Sequence, residues 1–154
     1  MQIFSPVAIL FWLLIGLLAA MPMLWFVLKL TPKLQIKILG RSLIVAALIY
    51  VIFAIIWSNH QWFWVELLGV LIYGLFYALA LKRGIFWLGL GWLLHPLWDL
   101  LLHLYGPGHH VVPQWYAWAC LSFDTAVFGF ILVVLYNRKL LNHLQAHKNG
   151  HTKM

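Results

Sequence analysis

Apolar residues in this chain do not alternate with polar ones; they run on. Five stretches of about 20 residues are almost entirely apolar: 7–28, 38–57, 62–81, 85–105 and 115–136. As a helix rising about 1.5 Å per residue, each is long enough to cross the roughly 30 Å hydrocarbon core of a bilayer. Turn formers or charges bound them: Thr31-Pro32-Lys33, Ser58-Asn59-His60-Gln61, Lys82-Arg83-Gly84 and Gly106-Pro107-Gly108. The pattern predicts an all-α polytopic membrane protein, a five-helix up-and-down bundle forming one domain over 1–136, followed by a basic, His-containing cytoplasmic tail over 137–154. No internal repeat or soluble domain interrupts it. The first run lacks a basic n-region and continues apolar past Ala19-Ala20, so it reads as a retained transmembrane helix rather than a secretory signal.

Composition agrees with a lipid solvent. Hydrophobic residues make up 65% of the chain and charged ones 8%, too little polar material to cover a water-facing surface. If the five helices alternate in direction, all Lys and Arg side chains, from Lys29, Lys33, Lys37 and Arg41 through Lys82 and Arg83 to Arg138, Lys139, Lys148 and Lys153, lie on one side. By the positive-inside rule that side is cytoplasmic, which places the N-terminus out and the C-terminus in. Arg41, nominally inside the second run, is near enough to its end to snorkel. The net charge of +7 thus reports topology and attraction to anionic membrane lipids, and no aromatic-basic groove accompanies it to suggest nucleic acid. One cysteine, Cys120, excludes an intrachain disulfide. A small odd-numbered bundle is also compatible with a homodimer.

Glu66, Asp99 and Asp124 are the only acidic side chains, and all three fall inside predicted spans. Counted from the outer ends, they lie about 6, 9 and 12 Å deep, within an outer half-thickness of about 15 Å. An acid at a span centre costs about 2.5 to 3.5 kcal/mol on insertion scales. These side chains must therefore face one another or a wet cavity, and no Lys or Arg in that half neutralises them. They are protonated, paired with imidazolium, or gathered around a cation. Histidines are at hand. At helical spacing His95, Asp99 and His103 fall within about 80° of one another, and Pro96 predicts a kink beside His95. Glu66 shares a stripe with Gly69, Tyr73 and Tyr77, and Asp124 with Ala117 and Cys120. His60, His109 and His110 belong to outer loops above, where with Cys120 they are candidate lid residues or secondary ligands. The first two runs, whose interior polar residues are only Ser42 and Tyr50, read as scaffold.

The string His95-Pro96-x-Trp98-Asp99-x3-His103, followed by Val112-Pro113-x-Trp115-Tyr116-x3-Cys120-x3-Asp124, resembles a group of small uncharacterised bacterial integral membrane proteins. In that group a His-His pair often closes the Trp-Asp helix; here Leu102 stands in place of the first. The resemblance implies a multi-pass protein of the bacterial cytoplasmic (inner) membrane and carries no activity with it.

From the residues, the functional expectation is an outward-opening site in which His95, Asp99, His103, Glu66 and Asp124 bind a divalent transition metal (Zn, Fe, Mn or Cu), with Glu66, Asp99 and Asp124 as catalytic carboxylates. Such a site suits a metal-dependent hydrolase or oxidoreductase acting on a lipid-like, membrane-soluble small molecule. A polar network that only fixes helix packing, as in a structural or assembly factor, and a proton relay are the alternatives. Transport or delivery of a metal ion or proton needs a polar path onward, and below His95 the spans offer little beyond Tyr73, Tyr77, Tyr50 and Ser42. Cys120 reads as a small buried residue or a nucleophile, and Trp98 as packing or the wall of a lipid pocket. In the tail, His143, His147 and His151 recur every four residues, with Gly150 expected to end the helix before the third; they read as a polar helix face or a cytoplasmic metal trap.

Overall fold

A computed structural model describes residues 5–57 and 60–151, with side chains through 140. It is all-helical: α1 (Pro6–Leu28), α2 (Pro32–Trp57), α3 (His60–Arg83), α4 (Ile85–Trp98), which continues as a π-helical segment over Asp99–Leu104, and α5 (Gln114–His151). There are five helical spans long and apolar enough to cross a membrane, α4 counting together with its π segment, and there is no strand among the described residues.

Local chemistry sets the helix ends. The Ser5 hydroxyl accepts from the Ala8 N–H at 3.3 Å, with Pro6 pre-set for the first turn. At the other end of α1, Gln35 donates to the Val27 carbonyl and accepts from Arg138, both at 3.2 Å, a polar knot that ties α1, α2 and α5 together. α2 starts at Pro32, before its apolar run, because its first turns carry exposed Lys33 and Lys37 beyond the hydrocarbon. Between α3 and α4 the chain turns on Gly84 alone, at φ 107°, a conformation glycine adopts without strain. Two expectations are corrected. His60 opens α3 instead of lying in a loop, and α5 runs through Gly150 to His151; the side chains of His143, His147 and His151 lie outside the described residues.

The helices pack in a ring, α1 on α5, α5 on α4, α4 on α3 and α3 on α2, with the α1–α2 contact the sparsest of all. The α4 helix also touches α2, where the Trp92 indole donates to the Leu39 carbonyl at 3.2 Å. Around it Leu39, Leu43, Leu88, Val127 and Ile131 form a dry layer. At Gly16 a Cβ would overlap the Ala119 carbonyl, so α1 and α5 approach backbone to backbone. Leu10, Leu71 and Val133 are more than half exposed, as suits a hydrocarbon solvent. Short links make successive helices antiparallel, so the basic residues through Lys139 collect at one end. There Lys29 sits over the Trp25 ring at 3.2 Å and Arg83 near the Trp87 ring at 5.9 Å.

Candidate metal centre

Four side chains from α4, its π segment and α5 meet in the half of the bundle away from the basic end. His95 Nδ1 donates to Asp124 Oδ2 at 2.8 Å and lies 3.8 Å from Asp99 Oδ2. One ligand atom from each of His95, Asp99, Cys120 and Asp124 falls within 4.8 Å of the others. Asp99 and Asp124 are 0% exposed and Cys120 8%. Neither oxygen of Asp99 has a hydrogen-bond partner, nor does Asp124 Oδ1. Buried carboxylate oxygens are seldom left so, since each unsatisfied group costs about 1 to 3 kcal/mol.

Two of the predicted ligands form a neighbouring pair instead. From Asp99 to Leu104 the helix is wound as a π-helix, whose i→i+5 turn advances each residue by less than the about 100° of an α-helix. The smaller advance keeps His103 on the side of the helix that carries His95 and Asp99, where Tyr50 packs on both imidazoles, but about two turns beyond His95 it meets Glu66 of α3 and stands outside the four-residue donor group. His103 Nδ1 is 3.2 Å from the Gly108 carbonyl, which can only accept, so the Nδ1–H donates. The Nε2 atom then faces Glu66 Oε1 at 3.3 Å without forming a hydrogen bond. The other carboxylate oxygen accepts from the Trp98 indole at 3.3 Å. A histidine oriented by a carbonyl and a carboxylate oriented by an indole are the supports that metal ligands commonly have.

Rings enclose both groups. Tyr50, assigned to scaffold by the sequence reading, is buried with its ring 5.4 Å from that of His95 and 5.0 Å from that of His103. Tyr73 packs on His95 at 4.9 Å, and both Tyr50 and Tyr73 hydroxyls lack hydrogen-bond partners. What could have pointed to Tyr50 is that it is the one hydroxyl in its half of α2.

The expected outward opening is closed: residues 105–113 fold over the cluster, burying Val111 and Val112 against Tyr50, Ala54 and Cys120. The lid is therefore apolar. His109 and His110 are exposed on it, His109 facing the Gly106 carbonyl and His110 the Trp62 ring, and His60 is exposed at the start of α3. None of these three joins the donor cluster. A cavity of about 500 Å³ does reach it from the side, between α1, α2 and α5, with Tyr116 and Cys120 in its wall.

The model of a family described as a family of unknown function (DUF6010) matches residues 14–136, from the first span to the last turns of the fifth. No curated protein and no solved structure matches the chain.

Proposed function

We propose, for a chain that belongs to the DUF6010 family of unknown function, that the polar site is a divalent transition-metal centre of a membrane-embedded enzyme. The observation that carries this is Asp99, fully buried with neither oxygen in a hydrogen bond and His95 Nδ1 no nearer than 3.8 Å, beside Asp124 and Cys120. A cation answers that charge imbalance and uses donors already gathered. Imidazole, carboxylate and thiol together suit Zn, Fe or Cu, and the carboxylates suit Mn. Bound there, the metal would supply a Lewis acid or a redox centre. His95, Asp99 and Asp124 hold it, with Cys120 as a fourth donor on the side of the cavity. Glu66 and His103 form an adjoining acceptor pair, able to hold a proton or a second ion.

An enzyme acting on a membrane-soluble substrate fits better than a transporter, since the apolar layer of Leu39, Leu43, Leu88 and Ile131 lies between the cluster and the basic end. With the basic end cytoplasmic, the protein is a multi-pass protein of the cytoplasmic membrane and its site lies in the outer half.

Elemental analysis of full-length protein purified in mild detergent tests the reading. The expected result is about one ion per chain, or two if Glu66 and His103 hold their own. Asp99→Asn should weaken metal affinity about 10- to 100-fold, and chelation should lower the unfolding temperature. A metal-free wild type whose unfolding is indifferent to chelator and to added Zn, Fe, Mn or Cu would leave a packing network built on the His95–Asp124 hydrogen bond.

A further inference from the structure

We infer that the cavity between α1, α2 and α5 binds one long-chain carboxylate, its head group on Arg41 and a mid-chain carbon against the His95–Asp99–Cys120–Asp124 cluster. The inference rests on the proposed site and names its substrate class.

Three helical stripes make the cavity. Arg41, Ser42, Val45, Ala46 and Ile49 follow one another along one face of α2, opposite Gly16 and Ala19 of α1, with Tyr116 and Cys120 of α5 completing the wall. The backbones of α2 and α5 make no contact; side chains bridge them at the two ends, the Tyr50 and Phe53 rings on Tyr116 at 5.6 and 5.1 Å and Arg138 on Gln35 at 3.2 Å. The space is therefore a slot running along the helix axes, apolar for most of its length, with Arg41 toward one end and, toward the other, Cys120, the one member of the polar cluster in its wall.

Arg41 supplies the charge argument. It makes no hydrogen bond or ion pair among the described residues, and the chain's three acids all lie in the opposite half of the bundle. Arg41 is exposed at the mouth of the slot toward the basic end, and a planar guanidinium there is complementary to a carboxylate, which it binds through two parallel hydrogen bonds, with the Ser42 hydroxyl lining the slot beside it. Size argues for one chain, because about 500 Å³ is within the range of single small-molecule pockets.

The helix then acts as a ruler. Tyr50, which touches His95, stands nine residues beyond Arg41, about 13 Å along the axis. An extended chain advances roughly 1.3 Å per carbon, so a carboxylate on Arg41 places a carbon about ten positions along at the cluster. Side chains on a helix tilt toward its N-terminus, which moves the guanidinium toward the basic end and lengthens the ruler slightly.

Photolabelling of the full-length protein tests this, with a saturated long-chain carboxylate carrying a diazirine about ten carbons from its head group. Labelling at Tyr116, Cys120 or Ile49, competed by the unlabelled carboxylate, reduced at least about tenfold in Arg41→Gln and largely kept in Arg41→Lys, is the expected result. Ala46→Phe, which fills the slot and leaves the charge, should abolish it. Labelling spread over outward positions such as Leu14 and Val133, equal labelling in folded Arg41→Gln, protection by two-chain phospholipid alone, or cross-links to a second copy of the chain would each overturn the proposal. Metal content of the same sample separates the two ideas. A metal-free protein with Arg41-dependent labelling keeps the slot and loses the metal centre, and a metal-loaded protein without such labelling does the reverse.

Discussion

Glu66 is held by a neighbour that its own stripe does not contain. The Trp98 indole donates to Oε2 at 3.3 Å, so Trp98→Phe keeps most of the ring and orphans a buried carboxylate oxygen. The expected loss is roughly 1 to 3 kcal/mol in chemical unfolding from detergent. In a Glu66→Leu background the same change should cost much less, since no carboxylate remains to be stranded. Such partnerships explain which residues could be read in advance. The acids and the histidines between them stand out because charge inside an apolar run has to be accounted for. Tyr50 did not, because a tyrosine in a span is ordinary packing until its neighbours are known, and the Gly108 carbonyl that orients His103 belongs to the backbone and has no signature. Cys120 was visible only as a candidate; its place in the donor cluster comes from the packing of α5 against α4.

Helices as such were legible from apolar runs, and their ends were not. Hydropathy stops where hydrocarbon stops, whereas backbone hydrogen bonds continue into the interface, so α2 begins at Pro32 and α5 passes Gly150. Spacing told less at one place, the π segment after Pro96: it put His95, Asp99 and His103 on one side, but not that His103 meets Glu66 while the other two join Asp124. Proline there removes the N–H that would pair with the Trp92 carbonyl, and the widened turns begin three residues later. Pro96→Ala restores that donor. It should leave the bundle folded, with stability changed by less than about 1 kcal/mol, while rotating His103 away from Glu66 and weakening metal binding about tenfold. Isothermal titration beside thermal unfolding separates these effects, and unchanged affinity would show that the π winding does not depend on the proline.

At the level of the whole molecule, charge is sorted by end: basic side chains at one, all three acids in the other half. If the basic end is cytoplasmic, a cysteine replacing exposed His110 should react with an impermeant maleimide on intact cells, whereas one replacing Lys82 should react only after permeabilisation; Cys120 is buried and serves as a silent background. The opposite pattern would invert the topology. Depth adds something that a detergent micelle cannot reproduce. His95 stands at the middle of the 20-residue span Ile85–Leu104, so an ion arriving from the end without Lys or Arg crosses about half of any transmembrane voltage. One elementary charge through the full drop is worth about 2.3 kcal/mol per 100 mV, and a divalent ion through half of it gains a similar amount. With the basic end on the negative side that work favours loading, and an energised membrane would hold the site fuller than the same protein taken out of it.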